Sequence, residues 1–193
     1  FNRVGTSIFA GKMGQRICRP EVTIVDDGTQ AEDVGCLRWD DEGIPGQRTV
    51  LVDKGVLNSY MHDRISARHY GVEPTGNGRR ESFRHAPQPR MRSTYMMAGE
   101  SNPEDIIRSV KKGIYAQVFT NGQVQIGAGD FTFYMKQGYL IEDGHLTQPI
   151  RDINVIGNGP RALADISMVG NDLLIDHSAS MWQPYACLYI PKN

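Results

Sequence analysis

Several features that mark specialised protein classes are missing from this sequence. Its 193 residues hold 21 lysines and arginines against 22 aspartates and glutamates, so no basic excess favours general binding to nucleic acid or anionic membranes. No apolar run approaches the length that membrane crossing needs. The three cysteines, Cys18, Cys36 and Cys187, form no CxxC pair, which favours reduced thiols in a cytosolic setting. We therefore expect a soluble, cytoplasmic, globular protein that binds neither nucleic acid nor membrane.

The usual catalytic signatures are also missing. The sequence contains no G-x-S-x-G elbow, no P-loop, no dinucleotide-binding fingerprint and no His-Glu pair. His62 and His69 could share one face of a helix, but a structural role fits them better than a metal pair. Cys187 is a weak candidate for a nucleophile or a thiolate ligand, because no histidine is placed beside it by the sequence. The residues alone therefore define no catalytic group and no complete metal site.

The most unusual stretch is residues 71–96, here called the arginine segment. Proline lacks a backbone donor and Gly76-Asn77-Gly78 favours turns, so the segment cannot be a regular helix. Long ordered loops in compact domains are usually functional. Its arginines could bind carboxylates, phosphates or carbonyl-rich backbone, or they could pair with the protein's own acids, and both interpretations stay open. The five arginines are Arg79, Arg80, Arg84, Arg90 and Arg92.

A second loop, residues 40–46, is acidic and rich in glycine. Carboxylates suit Ca²⁺ or Mg²⁺, but the spacing does not match the EF-hand pattern, so a solvated turn is the favoured interpretation.

Strand and turn signals predict a β-rich α+β fold with curved, barrel-like antiparallel sheets. We predict about eight strands and about two short helices, in a single domain over residues 1–193. The helices are expected at residues 60–70 and after an N-cap at Ser101, with Gly113 ending the second. Hairpins are expected at Asp53-Lys54-Gly55, at Asn121-Gly122 and at Asp143-Gly144. Residues 163–169 are expected to form a short helix or strand.

Taken together, four blocks of the sequence resemble the TldD/PmbA family, once called modulators of DNA gyrase. The similarity runs in order over nearly the whole chain, and the third block is long and unusual. The blocks are VTIVDDGT at 22–29, DDEGIPGQRTVLVDKGVLNSYMHD at 40–63, PTGNGRRESFRHAPQPRM at 74–91 and SMVGNDL at 167–173.

The resemblance implies a cytosolic zinc metallopeptidase that degrades or matures small or unfolded peptides, with this chain as part of its C-terminal domain. It also implies a complex with a PmbA-type subunit or a self-dimer. Arg79, Arg80 and His85 are expected to contact the peptide, and the Arg79/Arg80 pair could hold a substrate carboxylate. The alternative is a non-catalytic, peptide-binding partner subunit of such a complex.

Two departures from the family pattern concern the metal. The family's His-Glu-x-x-x-His helix would precede Phe1, so the chain is expected to be a fragment without catalytic or metal residues of its own. Trp182 stands where the family has a third, cysteine ligand, and Cys187 does not match that position. Zinc is therefore expected for the full-length family member and not for this chain as written.

Overall fold

The computed structural model of the chain describes residues 5–31, 35–125 and 127–175. The chain divides into two compact units, Phe1–Met97 and Ala98–Asn193, and each is described by itself. The single domain over residues 1–193 stays a prediction.

The first unit is built on a four-stranded antiparallel sheet with a separate two-stranded ribbon. The sheet has the strand order β3-β2-β1-β6, and β4 pairs with β5 in the ribbon. In chain order the elements are β1 (Ile24–Asp27), β2 (Arg48–Asp53), β3 (Val56–Leu57), α1 (Arg64–Tyr70), β4 (Gly78–Arg79), β5 (Gln88–Pro89) and β6 (Thr94–Met96).

The hairpin between β2 and β3 follows the sequence signal. Lys54 and Gly55 both have positive φ, as a tight turn requires, and the predicted turn is confirmed. Gly55 cannot be larger, because a Cβ there would lie 2.4 Å from the carbonyl oxygen of Cys18. Val25 and Val52, from β1 and β2, are buried, so the central strands carry the apolar core of this sheet.

Helix α1 begins at Arg64 and not at residue 60, because Asp63 caps it. The Asp63 carboxylate accepts from the backbone N–H of Ser66 at 2.6 Å, and Ser66 Oγ accepts from the Asp63 N–H at 3.0 Å. This reciprocal capping box fixes the first turn, and Gly71 ends the helix in the left-handed conformation.

The second unit is a three-stranded antiparallel sheet of long strands in the order β7-β8-β9. Its core is Ala116, Phe119 and Met135, packed with neighbouring partly buried apolar side chains. The elements are α2 (Pro103–Arg108), β7 (Lys112–Val124), β8 (Asp130–Glu142), β9 (His145–Asn158) and α3 (Gly159–Asp165).

The hairpin predicted at Asn121-Gly122 is wrong, because both residues lie inside β7. A Cβ on Gly122 would lie 2.1 Å from the Phe133 ring, so this glycine allows close packing across the strands and makes no turn. The ladder is irregular between Phe119 and Asn121, which accommodates the local bulge. The chain reverses after Gln125, whose N–H and C=O both bond to residues 129–130.

The predicted start and end of the second helix are also wrong. Asn102, not Ser101, caps α2 by accepting from the N–H of Glu104 at 2.9 Å. Ser101 lies one residue earlier, in a bridge to Gly170. Gly113 lies within β7 and does not end the helix. The sequence predicts a short helix or strand at residues 163–169. The structure has the helix α3, which begins earlier, at Gly159, and ends at Asp165.

The described residues therefore contain three short helices and mostly antiparallel sheets, which confirms the β-rich α+β class. In the described ranges no closed barrel is found, so a barrel-like closure stays a prediction. None of the helices in the described part of the chain has the length and apolar character that crossing a membrane needs.

The Asp143-Gly144 turn joins β8 to β9, as predicted, and gives the first test. Both residues have positive φ, and a Cβ on Gly144 would lie 2.7 Å from the carbonyl oxygen of Arg108. Gly144→Ala should lower the free energy of unfolding by about 1–3 kcal/mol in denaturant titrations. Asp143→Asn, which tolerates the left-handed region, should change it by less than about 0.5 kcal/mol. Equal effects of the two substitutions would contradict this account of the turn.

Candidate functional site

A buried carboxylate on β1 holds the arginine segment. Asp26 is 1% exposed. Its Oδ1 accepts from the N–H of Arg92 at 3.0 Å and from Thr94 Oγ1 at 2.5 Å, and its Oδ2 accepts from Asn77 Nδ2 at 2.6 Å. Asn77 is also buried, and it exchanges hydrogen bonds with the backbone of Arg90. Asp26 thereby holds Asn77 and Arg92, at the two ends of the central part of the arginine segment, against β1.

The acidic loop at residues 40–46 binds the same segment through its backbone. Asp40 Oδ2 accepts from the N–H of Gly78 at 2.9 Å, and Asp41 Oδ2 accepts from the N–H of Arg80 at 2.7 Å. Asp40 Oδ1 closes the loop itself by accepting from the N–H groups of Glu42 and Ile44. These carboxylates are therefore occupied by peptide N–H groups, so the alternative of a cation site at this loop gains no support.

Asp27, the next residue of β1, is likewise almost fully buried. Burial alone raises its pKa, but hydrogen bonds from the Thr29 side chain and N–H, from Gln30 and from Tyr95 outweigh burial and leave the pKa below its usual value. The bond from Thr29 Oγ1 is 2.6 Å long. The charged form of Asp27 is thus built into the folded state.

The β4/β5 ribbon forms the floor of a cleft. Gly78 pairs with Pro89 and Arg79 with Gln88. Arg90 follows β5 directly and lies with Arg79 and Gln88 on the same cleft. A cleft of about 200 Å³ lies there. It is lined by Arg79, Glu81, His85, Ala86, Gln88 and Arg90.

Hydrogen bonds within residues 80–87 place His85 in the cleft. His85 Nδ1 lies 2.9 Å from Ser82 Oγ, and the His85 N–H donates to the Ser82 carbonyl at 3.0 Å. Arg80 Nη1 donates to the His85 carbonyl oxygen at 2.9 Å. Arg80 lies outside the cleft lining and braces the turn that carries His85.

Among the described contacts, the guanidiniums of the arginine segment donate to carbonyl and amide oxygens and not to carboxylates. Among the described residues, no ion pair reaches a guanidinium of the arginine segment. Arg92 Nε and Nη2 instead donate to the carbonyls of Gly76 and Gly78. Burial lowers the pKa of Arg92, Arg79 lowers it further, and Asp40, Asp41 and Asp26 oppose the shift. The acids therefore fix the segment's backbone, and among the described residues they form no ion pair with its guanidiniums.

The structure brings two of the three expected substrate contacts, Arg79 and His85, to one cleft, and it gives Arg80 a bracing contact. A role in binding substrate stays a prediction for all three. The sequence interpretation missed Gln88 and Arg90 on the same cleft. The alternation of side chains along β5 could have indicated them, but two prolines obscured that strand.

The described histidines do not converge on a metal position. His62 is buried, which lowers its pKa, and its Nδ1 lies 3.3 Å from Ser66 Oγ. His62 and His69 both contact the ring of Tyr70, at centroid distances of 5.5 and 4.9 Å. Over residues 5–31, 35–125 and 127–175, no three His, Cys, Asp or Glu side chains are grouped as metal ligands. Trp182 and Cys187 lie outside the described residues.

The class of protein follows from comparison with known families. The chain belongs to the PmbA/TldA metallopeptidase family: the model of the family's C-terminal domain matches residues 2–189. It is 48% identical over 181 residues to the metalloprotease TldD homolog of Buchnera aphidicola subsp. Schizaphis graminum, covering 94% of this chain and 38% of that protein. The zinc metalloprotease TldD homolog of Saccharolobus solfataricus is 33% identical over 134 residues, covering 69% of this chain and 30% of that protein.

Solved structures share the fold. A Thermotoga maritima protein described as a candidate modulator of a DNA gyrase aligns with a TM-score of 0.77 at 28% identity, covering 91% of this chain and 40% of that one. TldE from Thermococcus kodakarensis aligns with a TM-score of 0.75 at 26% identity, covering 92% and 40%. The chain spans less than half the length of the curated relatives and solved structures that it matches.

The lowered pKa of Asp27 predicts how stability depends on pH. Asp27→Asn should lower the free energy of unfolding by about 2 kcal/mol near neutral pH, because the hydrogen bonds to the charged carboxylate are lost. A group with a depressed folded pKa stabilises above its unfolded value, 3.8, and loses that contribution as pH falls through the folded value. The difference between wild type and variant should therefore shrink below about pH 4 in denaturant titrations.

The matched control is Asp53→Asn, which removes an exposed carboxylate from the neighbouring strand. This substitution should change the free energy of unfolding by less than about 0.5 kcal/mol at any pH. The difference in the free energy of unfolding between wild type and Asp27→Asn could instead stay constant down to strongly acidic pH. That result would show that Asp27 is not the group that causes the pH dependence.

Proposed function

We propose that this chain is the C-terminal portion of a TldD-like zinc metallopeptidase that degrades or matures small or unfolded peptides. Its part is to supply a scaffold and one wall of the substrate site. The observation that carries the proposal is the cleft beside Arg79, His85 and Arg90, in a chain of a metallopeptidase family. Polar groups that converge on one concave site are the usual mark of a ligand-binding surface.

The proposal assigns zinc to the full-length protein. A catalytic zinc site needs three protein ligands with a further position open to water or substrate, and the described residues present no such set. The described residues therefore do not fit the ion by themselves. The name of the Saccharolobus relative supports zinc for the family.

The chain's own residues are suited to holding a peptide. The exposed guanidinium of Arg79 and the side chains of Gln88 and Arg90 offer several N–H donors at one cleft. Peptide carbonyls and carboxylates are acceptors, so donors of this kind fix the position of a flexible chain. The buried carboxylates Asp26 and Asp40 hold the cleft's floor in place, which lowers the entropic cost of binding.

A second candidate function is a non-catalytic, peptide-binding subunit of a PmbA/TldD-type complex. The alignment with TldE favours it, because a family member with another name shares the fold over 92% of this chain. In both functions we propose a cytoplasmic protein that associates with a homologous PmbA-type subunit or with itself.

The test is cleavage of an unfolded peptide by the full-length protein that contains this chain, before and after removal of metal with a chelator. Cleavage should be abolished by the chelator and restored by zinc. Arg79→Gln should raise KM about tenfold with little change in kcat, because it removes ground-state binding at the substrate wall.

Arg84→Gln is the matched control, since Arg84 belongs to the same segment but lies outside the cleft lining and stacks on Phe83 at 5.2 Å. Its KM should match that of the wild type. A full-length protein that binds the peptide but never cleaves it would favour the non-catalytic subunit. Metal-independent cleavage would contradict both candidate functions.

A further inference from the structure

We infer that the cleft binds one carboxylate of the peptide, and that the pair which binds it is Arg79 with Arg90 and not Arg79 with Arg80. The inference rests on the proposed function, since it names the group that the substrate wall recognises. Arg79 is the last residue of β4 and lines the cleft, whereas Arg80 follows the strand and does not belong to the lining. Arg80 is also engaged, through its Nη1, with the His85 carbonyl.

The guanidinium of Arg79 has N–H donors available for a ligand. Its side chain is exposed at the cleft, and no described residue accepts a hydrogen bond from it or pairs with its charge. Arg79 also lies close enough to Arg92 for its charge to lower the pKa of that guanidinium. The charges of Arg79 and Arg92 repel each other, so an anion bound beside Arg79 is stabilised.

Arg90 is held in position by its own strand. Its Nη1 donates to the Pro89 carbonyl at 3.2 Å, and its Nη2 donates to Gln88 Oε1 at 3.1 Å. A guanidinium has five N–H donors, so further donors stay available for a ligand. Gln88 accepts from Arg90 through Oε1, and no described residue accepts a hydrogen bond from its amide N–H groups, which can therefore serve as donors. A planar carboxylate matches this set of forked donors better than a single carbonyl does.

The cleft's size and charge limit the ligand. A volume of about 200 Å³ is smaller than the roughly 300–1,000 Å³ that holds a drug-sized molecule, so the cleft accepts one chain end or one side chain. Glu81 shares the lining with the two arginines. One carboxylate therefore balances the fixed charges, whereas a phosphate dianion would add a charge that Glu81 repels.

A peptide carboxylate has two sources, the chain terminus and an acidic side chain. Three N-acetylated probes separate them: trialanine with a free carboxylate, the same peptide as an amide, and an amide with glutamate in the middle. Calorimetric titration of the chain should show that at least one carboxylate probe binds about tenfold more tightly than the trialanine amide. The carboxylate probe that binds more tightly identifies the source.

Arg79→Gln and Arg90→Gln should each reduce this discrimination to about twofold or less, because the ion-paired hydrogen bonds are lost. Arg84→Gln should preserve it. Arg80→Gln removes the brace of the His85 turn but no donor of the cleft, so it should reduce the discrimination less than either cleft variant. Both cleft arginines are exposed, and Asp26 and Asp40 hold the backbone, so the variants should keep the wild-type circular dichroism spectrum and melting temperature. Arg79→Lys, which keeps the charge but loses the fork, should fall between wild type and Arg79→Gln.

Three results would overturn the inference. Equal affinity for all three probes, weakened alike by Arg79→Gln, would leave a peptide-binding wall that does not read a carboxylate, so the proposed function would survive. Equal competition by inorganic phosphate would mean a general anion site. Probes that bind with no sensitivity to any cleft arginine, or fail to bind at all, would remove both the carboxylate assignment and the substrate wall.

Discussion

The buried carboxylate of Asp26 is the interaction on which the first unit's candidate site depends. A charge with 1% exposure is tolerated only where its oxygens are fully hydrogen-bonded, and Asp26 accepts from Asn77, Arg92 and Thr94. Asn77 precedes β4, while Arg92 and Thr94 follow β5. One side chain of β1 thus clamps both ends of the ribbon, and Asp40 adds a second anchor at Gly78.

This arrangement gives the aspartates and the arginines different roles, which the sequence alone does not distinguish. The aspartates bind peptide N–H groups of the segment and so fix an irregular backbone, and among the described residues they form no ion pair with its guanidiniums. Fixed backbone with free cationic side chains is what a preorganised anion site requires. The register of the short ribbon sets Arg79 opposite Gln88, and Arg90 joins them in the lining of one cleft.

Turn signals in the sequence predicted the structure correctly where the backbone conformation depends only on the residues of the turn. The Asp143-Gly144 turn was predictable, because its left-handed backbone is a property of those two residues. Asn121-Gly122 carries the same signal yet lies within a strand, because the Phe133 ring across the ladder needs a residue without a Cβ. The sequence resemblance indicated the family, but the placement of Arg79 and Arg90 on one cleft depends on a ribbon containing Pro89, a residue that argues against a strand.

The most direct test of the account is amide hydrogen exchange in Asp26→Asn. An asparagine keeps the size but offers one acceptor where the carboxylate offers two, so a donor in the clamp is left unmatched. The amides of Gly78, Arg90 and Arg92 should exchange about tenfold faster or more, while the β8 amides of the second unit, as internal reference, should be unchanged. Unchanged protection at those three amides would contradict the claim that Asp26 holds the site together.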